Sequence, residues 1–333
     1  MPAIFNALPG IEVPVGAISQ SLADLWNKPE LTGLDPSLPP PPAAEDAKAT
    51  QVNFVLHLGF QTTQDDALLQ FRIAVEFSRR YPCRVVVLCP MRYDEEGTDI
   101  RAKIYGECHT GKTRGDLRCC EFVLLSYPMS ARKYLEDQVS TCLSTDLPLY
   151  YWVHRFTSSS RFSDYRYLLG RSKRVMYDSA IAPADVMTFD WPNPDAVRDL
   201  AHARLLPIRQ SIGQFLASYE PGRLVDDLRG IRVQVGAAVV AEARALLHWA
   251  EARLRSCGAP AGLPLHLNAS PKFPSDEIEL RFDYGNGHHF RWTGQVHRGC
   301  AQLSADYGHG LAEAKTAINL LPPEAALAEA MFF

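Results

Sequence analysis

The stretch VNFVLHLGFQTTQDDALLQFRIAVEFSRRYPCRVVVLC (52–89) decides the fold. Its first seven residues form a nearly continuous apolar run, the pattern of a strand buried on both faces. Thr62 or Thr63 can cap the helix that follows. Asp65 and Asp66 stand in its first turn, where carboxylates meet the positive end of the helix dipole. Leu69, Ile73 and Phe77 fall down one side of that helix, and Arg72, Glu76 and Arg79 down another. Pro82 stops it, and RVVVLC (84–89) supplies a second strand. A strand, a helix and a strand joined this tightly fold as a right-handed parallel pair.

Working outward, DIRAKIYGECH (99–109) and DLRCCEFVLLSY (116–127) flank a polar turn with Gly111 and Gly115, so they read as a hairpin. Helical spacing over 131–143, the apolar strand LPLYYWV (147–153), a helix over 165–169 and the strand RVMYDS (174–179) follow. A longer helix is expected over 195–219, interrupted at Pro207. Residues 51–220 therefore predict a doubly wound α/β, Rossmann-like domain, its mostly parallel sheet extended by an antiparallel hairpin. Pro221-Gly222 marks the next boundary. Residues 221–333 predict a smaller α+β domain: strand 231–235, an amphipathic helix over 236–255, strands 263–268, 277–284 and 288–294, a further strand in 297–306, and a terminal helix. Residues 1–50 hold one short helical pattern, Val15 to Trp26, and the linker DPSLPPPP (35–42), whose prolines favour an extended arm.

A chain of 333 residues exceeds the usual limit of one core, in keeping with two domains. Its net charge of −4 attracts no polyanion over the whole surface, and the sequence shows only scattered basic pairs such as Arg79-Arg80 and Lys173-Arg174. Nucleic acid is not an expected partner. The first residues lack a secretory pattern, and no apolar run reaches the ~18–20 residues that span a bilayer, so the expected compartment is the cytoplasm, with no membrane partner. Eight cysteines in so long a chain read as reduced thiols. Cys83 and Cys89 share a strand but lie about 20 Å apart along it, too far to bridge.

Several motifs could carry chemistry. Gly106-Glu107-Cys108-His109-Thr110-Gly111-Lys112-Thr113 fits the P-loop pattern. A P-loop needs a helix directly after it, to aim backbone donors at phosphate; here a turn and a strand follow. Cys108, His109, Cys119 and Cys120 suggest zinc, but neighbouring strand residues face opposite ways, so Cys119 and Cys120 cannot share one ion. One of these cysteines exposed beside Arg118 would be redox-sensitive. No GxGxxG follows the first strand, so no dinucleotide cofactor is expected, and no metal. Asp178 ends a strand where α/β sheets place ligand groups, although capping explains it as well. Arg204 and Arg209 sit five apart on a helix around Pro207, unaligned unless the proline bends it.

In order along the chain, RVVVLCP, Cys108-His109 followed by Cys119-Cys120-Glu121, LPLYYWV, RVMYDS and DLAHARLLPIRQSIGQFL resemble segments of the OpcA family. Ile18 to Trp26 resembles its N-terminal helix. The chain departs from the family at Val153 and at Ile208, where members often carry Trp, and no closely spaced C-terminal cysteine pair is present. The resemblance implies a non-catalytic assembly factor and allosteric activator that binds glucose-6-phosphate dehydrogenase. It also implies that the Gly-rich segment is a hairpin loop. Family match and side-chain type select Arg118, Glu121, Trp152, Arg204 and Arg209 as interface candidates, and arginine and tryptophan suit that role. The competing reading is an enzyme that binds a nucleotide or sugar phosphate through Gly106–Thr113, with Lys112, Thr113 and Asp178 taking part.

Overall fold

Helix α1 (Ile4–Ala7), strand β1 (Ile11–Val13) and helix α2 (Ile18–Leu25) open a computed structural model that describes residues 4–25, 51–91, 99–110 and 117–333. The polyproline linker and the P-loop turn lie outside the described residues. The chain divides into two units, Met1–Asp199 with Leu327–Phe333, and Leu200–Ala326.

The first unit continues with β2 (Val52–Leu58), α3 (Gln64–Arg80), β3 (Cys83–Pro90), β4 (Arg101–Thr110), β5 (Leu117–Tyr127), α4 (Leu135–Cys142), β6 (Leu149–His154), α5 (Arg166–Arg171), β7 (Arg174–Tyr177) and β8 (Val197–Asp199). They form one eight-stranded sheet in the order β1-β4-β5-β3-β2-β6-β7-β8. The strands from β5 to β8 are parallel, and β4 is antiparallel to β5. The chain winds outward from β2 through β3, then returns past β2 to β6, so the winding direction reverses between β2 and β6. This is the doubly wound sheet with an antiparallel hairpin that the sequence predicts.

Burial follows from the pattern. All seven side chains of β2 are buried, because helices cover both faces. Leu22, Leu25, Leu135, Val139, Leu168 and Leu169 from α2, α4 and α5 share one core with Val55, Val86, Val123 and Tyr151 of the sheet. On the other face α3 sets Phe71 against Phe122 and Phe77 against Phe54, which in turn stacks on Trp152. Thr63 caps α3 by accepting from the backbone N–H of Asp66 at 3.2 Å. Leu69 is exposed; Ala67, Phe71, Ala74 and Phe77 form the buried stripe instead. The N-terminal segment is clipped to the hairpin: Lys103 Nζ donates to the carbonyls of Phe5 and Leu8 at 2.8 and 2.9 Å, and Arg101 pairs with Glu12.

The second unit contains α6 (Leu200–Arg204), α7 (Leu206–Leu216), α8 (Pro221–Val225), β9 (Leu228–Val235), α9 (Val240–Ser256), β10 (Leu265–Ala269), β11 (Glu277–Tyr284), β12 (His289–Gln295), β13 (Cys300–Asp306) and β14 (Ala312–Ala317). Its sheet order is β10-β9-β11-β12-β13-β14, antiparallel except for β9 and β10, which α9 connects. Helix α10 (Pro323–Phe332) ends the chain, with Phe332 against Phe77, Tyr81 and Tyr150.

Three sequence readings change here. Residues 197–199 are not helical; they pair with β7 as an edge strand. The helix expected through Pro207 is two helices, and Pro207 sits in the first turn of α7, where its missing N–H costs nothing. The division between units falls before α6, ahead of Pro221-Gly222, because Leu205, Ile208 and Ile212 enter the core of the second sheet. Strand β14, AEAKTA, has too little β propensity to announce itself. No helix among the described residues is long and apolar enough to cross a membrane.

Candidate functional site

An open α/β sheet binds its ligands outside the carboxyl ends of its strands, where the winding direction reverses. In this unit that place is the gap between β2 and β6. The loop after β2 begins at Gly59 and the loop after β6 at Arg155, and the two are bonded to each other. Gly59 N–H donates to His154 O at 2.6 Å, and Gln61 N–H donates to Arg155 O at 3.3 Å. A Cβ at Gly59 would stand 2.2 Å from Arg155 O, so only glycine permits the contact. Arg155 itself adopts φ 50, the left-handed conformation that side chains seldom take.

The head of α3 faces the same gap, and its own chain supplies the anion there. The Asp66 carboxylate accepts from Gln70 Nε2 at 2.9 Å and from His154 Nε2 at 2.8 Å, and pairs with Arg155 Nε at 2.6 Å. Burial works to raise the Asp66 pKa, but the bonds from His154 and Gln70 and the charge of Arg155 outweigh it and hold the group at about 2. A helix N-terminus that would otherwise attract phosphate is thus satisfied internally.

Beneath the gap His57 is fully buried between two tyrosines. Its Nδ1 lies 2.5 Å from the Tyr151 hydroxyl and its Nε2 2.7 Å from the Tyr127 hydroxyl, which also bonds Tyr165 at 2.7 Å. Burial pushes the imidazole down to about 3, so it is neutral, one nitrogen donating and the other accepting. Phe156 and Tyr165 pack edge-on against it. The recesses left here, one lined by His57, Tyr127 and Arg161 and the other by Phe156, Tyr177 and Asp178, are each about 10 Å³, the size of one water. The place where this fold class holds nucleotides is filled with aromatic side chains.

The hairpin resolves the cysteine motif residue by residue. β4 and β5 pair from Arg101↔Ser126 to Thr110↔Leu117, so the described part of the P-loop match is strand, and the next described residues are strand as well. Cys108 and Cys119 are directly opposed, with Cα atoms 4.1 Å apart, and form a disulfide. This corrects the reading of all eight cysteines as reduced thiols: antiparallel pairing brings together two residues eleven apart in sequence. Cys120 points to the other face. There it donates to Ser78 O at 3.4 Å and meets Cys83, whose bond to it, against the opposing effect of burial, draws the Cys120 thiol down to about 7. Glu121 returns to the first face, where Arg84 donates to it through both Nε and Nη2 at 2.9 and 2.6 Å. Among the described residues no cluster of His, Cys, Asp or Glu has the arrangement of a metal site.

The interface candidates fare as follows. Trp152 is buried at 4% exposure, stacked on Phe54, and cannot present itself to a partner. Glu121 is equally buried under Arg84. Arg204 bonds Glu242 at 2.6 Å inside the second unit, with both side chains mostly covered. Arg209 is half-buried on α7. Arg118 pairs through its backbone with His109, and its side chain, like Lys112 and Thr113, lies outside the described residues. Asp178 accepts from the backbone N–H of Ala180 at 3.0 Å within a turn over 178–181; no helix starts there, so the expected capping role is not what holds it. Sequence reasoning missed the Asp66–His154–Arg155 cluster and the His57 network. The available signal was a histidine inside an otherwise apolar strand, in β2 and again in β6.

Residues 74–190 match the family model described as glucose-6-phosphate dehydrogenase subunit N-terminal domain. Two curated relatives carry the name OxPP cycle protein OpcA. The one from Synechocystis sp. is 24% identical over 189 residues, covering 55% of this chain and 39% of the relative. The one from Nostoc punctiforme is 27% identical over 128 residues, covering 38% and 25%. The chain therefore spans well under half the length of these relatives. Among solved structures, a dipicolinate-bound dihydrodipicolinate reductase from Paenisporosarcina sp. TG-14 aligns with 85% of this chain and 93% of its own, at 10% identity. Its TM-score of 0.35 is too low to support any inference.

Proposed function

We propose, from the match of residues 74–190 to the family model and the likeness to two OpcA proteins, that this chain is an OpcA-type, non-catalytic assembly factor that binds glucose-6-phosphate dehydrogenase in the cytoplasm. In this reading it activates the enzyme by stabilising the active oligomer. The family match is the observation that carries the proposal. The closed gap between β2 and β6 supports it from another side, since a protein of this fold class that turned over a nucleotide would need that gap open. The physical mechanism is differential binding: the chain shifts the dehydrogenase toward whichever assembly state it holds more tightly, by no more than that difference in affinity.

The test is co-purification with the cognate dehydrogenase, followed by activity and molar mass of the enzyme with and without this chain. Association together with a higher oligomer fraction and faster turnover is the expected result. No association at about micromolar concentration, a binding energy of ~8 kcal/mol, ends the proposal. Association that leaves both mass and turnover unchanged reduces the role to a scaffold.

A further inference from the structure

The second sheet ends at β14, which among the described residues has a neighbouring strand, β13, on one side only. An edge strand carries a row of backbone donors and acceptors that can pair with another chain unless proline, a bulge or a covering segment blocks them. Residues 312–317, AEAKTA, contain no proline, and they pair with β13 in one unbroken register from Ala312↔Ala305 to Ala317↔Cys300. A single bond fixes which way each residue faces. Ile318 N–H donates to Gly299 O at 2.9 Å in that same register, so the even-numbered residues bond β13, and the backbone groups of Glu313, Lys315 and Ala317 point to the open edge.

The side chains decide what this edge accepts. Exposure alternates along the strand: Glu313, Lys315 and Ala317 are exposed, as is Leu311 just before it, at 61%. Glu313 and Lys315 stand opposite Ser304 and Gln302 of β13, and neither has an ion-pair partner among the described residues. If β14 pairs with a second copy of itself, antiparallel about a two-fold axis, edge-facing residues must oppose one another, so the axis passes through a residue. An axis through Glu313 or Lys315 opposes like charges, which destabilises a strand pair. An axis through Ala312 or Thr316 opposes Glu313 to Leu311 or Lys315 to Ala317, with no charge pair. Only an axis through Ala314 sets Glu313 of each copy against Lys315 of the other. The same register places Leu311 opposite Ala317 of the second copy. There the exposed sheet face has an open groove of about 590 Å³, whose lining includes Thr293, Gln295, Cys300, Gln302 and Ala317, with room for that leucine.

We propose that β14 is a self-complementary docking edge, on which a second copy of this chain pairs antiparallel about a two-fold axis through Ala314. Two six-stranded sheets then join into one continuous sheet. The backbone bonds between Glu313 and Lys315 of opposite copies supply the adhesion, their side chains fix the register, and Leu311 adds apolar contact at each end. Such a contact uses the same patch on both copies and therefore closes at the dimer. It involves residues of the second unit only and does not depend on the function proposed above.

Sedimentation velocity of the full chain over about 1–100 µM should show monomer giving way to dimer as concentration rises. Glu313→Lys sets lysine against Lys315, and Lys315→Glu sets glutamate against Glu313. Each single variant should weaken dimerisation at least about ten-fold, because like-charge oppositions replace favourable ones on both sides of the axis. The variant carrying both changes restores opposite charges in the same register and should dimerise like the wild type. That rescue separates pairing from loss of fold, which thermal melts of each protein also monitor. Ala314→Cys is made in a Cys300→Ala background, because Cys300 is an exposed thiol. It should cross-link as a disulfide dimer on mild oxidation, since residues opposed on the axis stand about 4.5 Å apart, within disulfide range. A wild type that stays monomeric at about 100 µM overturns the proposal. So does a dimer that both folded charge reversals leave intact, or one in which the rescue and the Ala314→Cys cross-link both fail.

Discussion

Asp66, in the first turn of α3, lies 2.6 Å from Arg155, the first residue beyond β6, and the pair bridges the gap where the sheet reverses its winding. The aspartate is held by Gln70 and His154 as well, so replacing it removes charge from a site built around charge. Asp66→Asn is expected to lower stability by about 1–3 kcal/mol at neutral pH. The sign with pH follows from its depressed pKa. A carboxyl at about 2 in the folded chain and 3.8 in the unfolded chain stabilises above pH 4 and loses that contribution as pH falls toward 2. Urea midpoints of the two proteins should therefore differ most above pH 4 and converge below it. A constant difference across that range counts against the assignment.

His57 also destabilises the folded chain as pH falls, but over a higher and wider range. Buried and neutral, it titrates at about 3 in the folded chain against 6.5 unfolded. Below pH 6.5 the unfolded chain takes up a proton that the folded chain refuses, so stability falls, with a limiting slope of ~1.4 kcal/mol per pH unit. His57→Phe leaves the Tyr151 and Tyr127 hydroxyls short of a partner and should cost about 2–4 kcal/mol at pH 7. The deficit should shrink on going to pH 4. Unfolding curves at pH 7, 6, 5 and 4 measure both effects.

Gly59→Ala would drive a methyl group into the backbone of Arg155 and Phe156, at 2.2 to 2.6 Å. No rotamer relieves a clash with backbone, so the two loops must part. A loss of about 2–4 kcal/mol is expected, read by chemical denaturation. A neutral result would mean that the loop closure over the β2–β6 gap contributes little to stability.

The Cys108–Cys119 bridge closes a short loop at the tip of a hairpin. Reducing it should lower stability by about 2–3 kcal/mol on the chain-entropy estimate. Unfolding with and without dithiothreitol provides the measurement, and the double variant Cys108→Ala with Cys119→Ala should be indifferent to the reductant. If the wild type is equally indifferent, the bridge is not formed in solution.

Much of the architecture was legible from residue order alone. The apolar runs 52–58 and 84–89 with a capped helix between them gave the parallel unit, because local propensity, capping and burial agree there. The hairpin was legible from its two strands, and its pairing puts Gly106–Thr110 of the P-loop match in a strand whose neighbour, from Leu117, is another strand. Residues 197–199 and β14 were not legible, since three residues, or six rich in Ala, Glu and Lys, become strand only when a neighbour offers its edge.

What the order of residues determined by itself was the alternation of strand and helix, set by contacts within a few turns of chain. What only the tertiary structure decided was pairing across distance. Cys119 went to Cys108, Cys120 to Cys83 and Glu121 to Arg84, because successive strand residues face opposite ways and each meets whatever the adjacent strand presents. The same long-range pairing set Asp66 beside Arg155. Sheet register and helix packing, not spacing along the chain, choose those neighbours.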